Sequence, residues 1–308
     1  MKDKLVTVVG GSGFVGRYVV RALLAKGARV RIAARDPRRA FFLKPQGGLG
    51  QTQFVAVDVT RPDTVARALR GSDAVVNLVG VLAGDFDRIH VEGARTVAEA
   101  AAAEGADALV QISAIGADPE SASAYGRSKG LGEQAVRAAF PAATILRPSI
   151  VFGREDDFIN RFARMLQIAP AMPVVRPQTR FQPVFAGDVG DAVVAALSAN
   201  TAGQTLELGG PETLTMHALL EWIAHAIGRA PRLIDLPDPV AGTIARLGFL
   251  PGAPITWDQW LMLQHDNVVT GTDGLAALNI PATALDTVAP GWLVQYRRRG
   301  RFAKPLEA

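Results

Sequence analysis

The feature that most restricts what this chain can fold into lies at residues 5–16. Leu5-Val6-Thr7-Val8-Val9 is followed at once by Gly10-Gly11-Ser12-Gly13-Phe14-Val15-Gly16. Five β-prone residues read as a buried strand, and the apolar periodicity of Val15 to Lys26 reads as a helix. A chain that turns from strand to helix through glycines leaves bare backbone N–H groups at the positive end of that helix, where an anionic diphosphate is favoured. Both G-x-G-x-x-G (11, 13, 16) and G-x-x-G-x-x-G (10, 13, 16) spacings are present. Gly10, Gly11, Ser12, Gly13, Phe14, Val15 and Gly16 are therefore the candidate phosphate cradle. A tight turn without a ligand is the alternative, and the strand-to-helix setting argues against it.

The rest of the first half repeats the same alternation. Leu5 to Val9, Ala28 to Ala34, Gln53 to Val57, Ala74 to Val79, Ala108 to Ser113 and Thr144 to Leu146 read as strands. The gaps hold helix-compatible stretches such as Val15 to Lys26, Thr64 to Leu69 and Ile89 to Ala103, long enough for parallel crossovers. Near-continuous apolar strands are those buried on both faces. The expected fold is α/β, a Rossmann-like doubly wound parallel sheet with a small C-terminal lobe. Beyond residue 150 Pro170, Pro173, Pro177 and Pro183 break the rhythm, before a helix from Val189 to Ser198 and a strand from Thr205 to Leu208. The expected division is 1–150 for the nucleotide-binding domain, joined by a returning segment 180–208, with 151–179 and 209–308 forming a substrate or docking lobe. Helices near Met216 to Ile227 and Ile255 to Gln264 belong to that lobe.

Composition removes several classes of function. No run of 18 apolar residues exists, and the opening segment is too short for a signal-peptide core, so a cytoplasmic protein is expected, with the inner membrane face as a candidate peripheral location. The sequence has no cysteine, which excludes disulfides, thiolate nucleophiles and Cys-containing zinc sites. Its four histidines, His90, His217, His225 and His265, lack metal-ligand spacing, and no metal is expected. The net charge of +4 comes from dispersed residues, which gives no nucleic-acid footprint. Arg297-Arg298-Arg299-Gly300-Arg301 is the exception, either a solvated tail or a contact for an anionic surface.

The end of the second strand reports on the nucleotide. Arg35-Asp36-Pro37-Arg38-Arg39 stands where an acid would accept the ribose hydroxyls of NAD. Guanidinium groups at Arg35, and at Arg38 or Arg39, suit a 2′-phosphate, so NADP(H) is favoured. NAD(H) stays open if Asp36 faces the ribose instead. Asp58 and Val59, after the third strand, are placed to meet the adenine edge, although a carboxylate at 58 could equally cap the following helix. Asn77, Val79 and Gly80, at the end of the fourth strand, would line the same groove.

Tyr125-Gly126-Arg127-Ser128-Lys129 places a phenol and an ammonium four residues apart, on one face of a helix. An adjacent cation favours the phenolate and brings a phenol toward useful acid–base strength. Ser113, at the end of the fifth strand, could hold a substrate oxygen beside Tyr125, or be an ordinary strand-end hydroxyl. Ser121 and Ser123 read as helix-start residues.

With the cradle, the basic second-strand end, Ser113 and the Tyr125/Lys129 pair in this order, the chain resembles the extended and atypical branch of the short-chain dehydrogenase/reductase superfamily, with NAD-dependent epimerase/dehydratase character. Glu133-Gln134-Ala135-Val136, Leu146 to Phe158 and Phe181-Gln182-Pro183-Val184 are similar to the NADPH-binding accessory subunit of respiratory complex I and its bacterial relatives. That resemblance covers most of the chain, and Arg147 to Phe158 is its most specific part. It implies a nucleotide-binding lobe, a small C-terminal lobe, Pro148 against the nicotinamide and, in the respiratory version, NADPH held without demonstrated turnover. Two departures stand out. His90-Val91-Glu92-Gly93 replaces the usual helix-opening Asn, which removes the basis for a proton relay through that residue. The Tyr that the respiratory subunit tends to lack is retained here.

Two functions follow from this reading. One is an NADP(H)-dependent oxidoreductase, or an epimerase or dehydratase, with Tyr125 as acid/base, Lys129 orienting the ribose and an unidentified small-molecule substrate. The other is a nucleotide-holding assembly or sensor subunit with complex I or the membrane surface as its partner. Leu247 to Trp257 and Trp260-Leu261-Met262-Leu263 could line an apolar pocket, lie against a partner or be core; the substrate is not legible.

Overall fold

A computed structural model of the chain describes residues 1–198, 200–248, 255–298 and 300. Phe249 to Pro254, within the Leu247–Trp257 segment, and Arg299 and Arg301 of the basic run lie outside the described residues. The chain forms two compact units, 1–148 with 186–208 and 269–281, and 149–185 with 209–268 and 282–308.

The first unit begins with β1 (Leu5–Val9), α1 (Phe14–Ala25), β2 (Arg29–Ala34), β3 (Thr52–Ala56), α2 (Pro62–Leu69), β4 (Ala74–Asn77), α3 (Gly93–Ala103), β5 (Ala108–Ile112), α4 (Ala124–Ala139) and β6 (Thr144–Pro148). The chain then makes β7 (Val151–Phe152), α5 (Phe158–Ile168), β8 (Ala171–Val174), β9 (Arg180–Phe181) and β10 (Val184–Phe185) of the second unit. It re-enters the first as α6 (Ala186–Ser198) and β11 (Thr205–Leu208). The seven-stranded sheet runs β11-β6-β5-β4-β1-β2-β3, every pair parallel. This is a Rossmann-like α/β fold, and its order reverses between β1 and β4, the switch point outside which ligands of such sheets bind. Val6, Val8 and Val9 of β1 are fully buried, which explains why the strand reads as a continuous apolar run. In α1, Gly16, Val19, Val20, Leu23 and Leu24 are buried at helical spacing. Helix α6 crosses α1 closely enough that a Cβ at Gly190 would lie 2.9 Å from the Tyr18 carbonyl oxygen.

Three expected boundaries change. The first segment ends at Pro148 rather than at 150. Residues 180–185 belong to the second unit, because β9 pairs with β12 (Leu214–Thr215) and β10 with β7. Residues 269–281 belong to the first. There the Glu207 carboxylate accepts the N–H groups of Thr270 and Gly271, both at 2.8 Å, and the Glu207 N–H donates to the Thr272 carbonyl at 3.0 Å.

The second unit adds α7 (Met216–Ala226), β13 (Arg232–Asp235), α8 (Asp238–Arg246) and α9 (Trp257–Met262). Its core joins Phe152, Ile159, Leu166, Met172, Leu219 and Ile223. Helix α5 was not expected from the proline-rich sequence after 150. Its start is fixed by Asp156, whose Oδ1 accepts the N–H groups of Ile159 (2.6 Å) and Asn160 (3.2 Å). Among the described residues no helix is long and apolar enough to cross a membrane.

Candidate nucleotide and Tyr/Lys site

The turn after β1 is built from close backbone approaches that exclude side chains. Gly10 has φ +84° and donates its N–H to the Ala33 carbonyl at 2.8 Å, which ties the turn to β2. A Cβ at Gly16 would lie 2.7 Å from the Gly10 oxygen and from two backbone atoms of Gly11. Gly13 is the N-cap of α1, extended and without a side-chain cap. The N–H groups of Phe14, Val15 and Gly16 therefore have neither an intrahelical acceptor nor a capping side chain. They face the chemistry of an anion at a helix start, and the cradle fits the diphosphate of a dinucleotide.

This turn opens on a cleft of about 520 Å³. Of the residues expected from sequence, Gly10, Ser12, Gly13, Arg35, Asp58, Val59, Val79 and Gly80 line it. Gly11 packs instead under Ile32, Phe14 meets Tyr18 edge to face, and Val15 and Gly16 form the first turn of α1. Asn77 is buried with its amide spent on protein: Oδ1 accepts the Val79 N–H at 3.1 Å and Nδ2 donates to Gln111 at 2.8 Å. It shapes the turn that Val79 presents to the cleft rather than lining it.

Acid and base divide sharply at the end of β2. Asp36 caps the short 3₁₀ segment Pro37–Gln46, accepting the Arg38 N–H at 3.1 Å and the Arg38 Nε at 3.2 Å. Those bonds to Arg38 hold its carboxyl below the usual range. Arg38 is thereby drawn to Asp36 and does not line the cleft, whereas Arg35 does. Asp58 closes its own turn, accepting the N–H and hydroxyl of Thr60 at 3.0 and 2.9 Å. Its carboxyl is lowered first by these bonds and further by Arg35 and Arg88. Arg88, which no motif signals, also lines the cleft, with Nη2 3.4 Å from the Thr60 hydroxyl.

Helix α4 carries the phenol and ammonium. Ser123 caps it, accepting the Gly126 N–H at 3.2 Å. Lys129 is buried and donates from Nζ to the Ile112 carbonyl at 3.2 Å, the residue before Ser113. Ser113 is also buried, and its Oγ has no hydrogen-bond partner among the described residues. A buried hydroxyl left unspent costs about 1–3 kcal/mol unless something completes it. Pro148, buried at the end of β6, accepts the Ile115 N–H at 3.0 Å. Burial pushes the Tyr125 phenol up to about 12 and draws Lys129 down to about 8. Desolvation disfavours both charged forms, and at the phenol it outweighs the neighbouring Lys129.

The sequence marks His90 as a departure from the family pattern and assigns it no role. It sits in a π-helical turn, Asp87–Glu92, stacked on Phe86 at 5.5 Å and edge-on to Tyr125 at 5.5 Å. A Cβ added at Gly80 would meet Lys129 Nζ at 3.5 Å and His90 Nε2 at 3.6 Å. The end of the cleft thus reaches the buried Lys129 and His90 side chains at Gly80.

Comparison with known proteins adds three findings. The profile of the NAD dependent epimerase/dehydratase family matches residues 6–209. Among sequences, the mitochondrial NADH dehydrogenase (ubiquinone) 1 alpha subcomplex subunit 9 of Mus musculus is 34% identical over 293 residues, 92% of this chain and 78% of that one. Ceramide reductase of Caulobacter vibrioides is 32% identical over 242 residues, 76% and 74% of the two chains. Among structures, the triphenylmethane reductase of Citrobacter sp., complexed with NADP(H), superposes with a TM-score of 0.76 over 93% of this chain and 99% of that one. At 18% identity this is a likeness of fold.

Proposed function

Because this chain belongs to the NAD dependent epimerase/dehydratase family, we propose that it is an NADP(H)-linked oxidoreductase using Tyr125, Lys129 and Ser113. The observation that carries the reading is the buried Ser113 hydroxyl, without a partner among the described residues, next to the carbonyl that anchors Lys129. When bound, the dinucleotide supplies or accepts the hydride. The free amides of Phe14, Val15 and Gly16 take its diphosphate, with Asp58, Val59, Val79 and Gly80 along the cleft. Arg35 meets the 2′-phosphate that distinguishes NADP(H), since Asp36 is engaged with Arg38. Ser113 Oγ–H holds the substrate oxygen, and Tyr125, kept protonated by burial, gives that oxygen its proton in the reducing direction. Lys129 orients the ribose, and Pro148 bounds the nicotinamide end.

The second unit serves as the substrate or docking lobe in this reading, and epimerase or dehydratase chemistry would employ the same residues. The ceramide reductase relative makes ceramide-type lipids the first substrates to try. Tyr125→Phe should lower NADPH-linked turnover by at least about 100-fold, the usual size of a lost general acid, while nucleotide affinity stays within a few-fold. Unchanged turnover would remove Tyr125 from the mechanism.

A second reading is favoured by the length of the match to the mitochondrial subunit, which spans 92% of this chain. In it the protein holds nucleotide on complex I at the inner membrane face. Mild detergent extraction should then recover the chain with complex I subunits, and its consistent absence from that fraction would oppose this role.

A further inference from the structure

His90 touches both halves of the site and is buried, yet the chemistry above makes no use of it. Its Nε2 accepts the N–H of Val81 at 2.9 Å, a residue lining the nucleotide cleft. An acceptor at Nε2 places the ring proton of neutral imidazole on Nδ1. Nδ1–H then donates to Ser128 Oγ at 2.9 Å, and the Ser128 hydroxyl donates to the Tyr125 carbonyl at 2.9 Å. The directions are consistent along the whole line: Val81 N–H to His90, His90 to Ser128, Ser128 to Tyr125. Every donor has one acceptor, so the ring has a single orientation in which both bonds exist.

The packing enforces the same arrangement. A Cβ at Gly132 would lie 2.1 Å from the His90 carbonyl oxygen, so α4 receives the π-helical turn only where it has no side chain. Phe86 stacks on one face of the imidazole, and Tyr125 closes on it edge-on. The extra residue of a π-turn re-aims the side chains around it and is found often at functional positions. Here it aims the ring between the cleft and the first turn of α4.

We propose that His90 is a positioning residue that couples the wall of the nucleotide cleft to the helix carrying Tyr125 and Lys129. Nucleotide seated against Val79 to Val81 steadies the Val81 N–H, and through His90 and Ser128 steadies the turn that holds the phenol. The proposal rests on the nucleotide-binding reading above, and its test separates the two. Amide hydrogen exchange is followed in peptides covering residues 78–92 and 124–132, with and without saturating NADPH, beside a fluorescence titration of NADPH. In the parent protein NADPH should slow exchange in both peptides. His90→Phe keeps a flat ring but loses both hydrogen bonds; it should retain protection of 78–92 and lose most of the NADPH-dependent protection of 124–132. His90→Gln, which carries an acceptor and a donor, should restore part of it. A merely structural role would loosen 124–132 equally with and without NADPH, leaving the ligand-dependent difference unchanged, and that result would overturn the proposal. Protection confined to 78–92 in the parent protein would also overturn it while leaving nucleotide binding intact. No NADPH binding at all would remove the nucleotide reading itself. If His90→Phe does not fold, Ser128→Ala removes the second and third links, leaves the Val81 N–H on His90, and should give the same selective loss at 124–132.

Discussion

Replacing Gly16 by alanine tests the cradle with a single methyl group. The new Cβ would stand 2.7 Å from the Gly10 oxygen and from Gly11 C and Cα, all backbone atoms that cannot rotate away. Ordinary carbon contacts lie near 3.5–4.0 Å, so the turn must retreat by roughly 1 Å. The fold feels two opposed effects: alanine gains about 1 kcal/mol over glycine in a helix. Overpacking costs about 1–3 kcal/mol. Net destabilisation should therefore stay at or below about 2 kcal/mol. The ligand is hit harder. A shift of that size takes amide-to-phosphate hydrogen bonds of about 2.9 Å beyond bonding range. Losing two charge-assisted bonds at about 1.5 kcal/mol or more each removes about 3 kcal/mol of binding, on the order of 100-fold in Kd. NADPH fluorescence titration reads the affinity and thermal denaturation reads the fold. Unchanged affinity, or a loss of fold stability with no loss of binding, would refute the argument that the bare amides at 14–16 hold the diphosphate.

Three further outcomes follow from the same geometry. Arg35→Ala should weaken NADPH by about 1.5–3 kcal/mol, a hydrogen bond to a charged group, and leave NADH nearly unchanged in parallel titrations; equal losses would show that Arg35 does not read the 2′-phosphate. Burial, and secondarily Lys129, lowers His90 to about 4 from its ordinary 6.5. Its neutral form thus contributes stability that is present above pH 6.5 and lost as pH falls through 4, up to about 3 kcal/mol. Asp156, raised by burial to about 6, runs the other way over part of that window, so the comparison is denaturant midpoints of parent and His90→Gln at pH 7 and 4.5. The gap between the two proteins should narrow in acid, and a constant gap would mean that His90 is not held neutral by the fold. Arg147 forks onto Glu133 at 2.8 and 2.7 Å and lies 3.9 Å from Glu207, both carboxylates buried. Arg147→Ala should cost about 3–5 kcal/mol by urea unfolding, because it strands buried charge; a loss below about 1 kcal/mol would show that the carboxylates relax to water.

The nucleotide-binding half was legible because its signals are local. A strand buried on both faces, a glycine turn fixed by backbone contact and a helix with buried residues at regular spacing each write themselves into a dozen consecutive residues. The second unit resisted for the opposite reason. Strands of two residues such as β7 and β10 carry no period, and α5 is started by Asp156 from outside the helix, just ahead of a run of prolines. The placement of 269–281 rests on one carboxylate, Glu207, reaching amides more than sixty residues away. Within the site, residue types were readable but their partners were not. Nothing in the sequence shows that Asn77 turns toward Gln111, that Asp36 is engaged by Arg38, or that burial outweighs charge at Tyr125. Arg88 and His90 lie in a π-turn with no motif, and only the Asn missing from the stretch 90–93 hinted that this turn differs.

The central claim is that an NADP-type dinucleotide lies along the cleft from the 10–16 turn to Ser113 and Lys129. Its most direct test is a titration of the intact protein with NADPH, following the nucleotide fluorescence and, at saturation, the exchange of the backbone amides of Phe14, Val15 and Gly16. The account predicts one-to-one saturation with those amides protected. Saturation without protection there, or no binding of NADPH or NADH up to about 1 mM, a free energy of only about 4 kcal/mol, would contradict it.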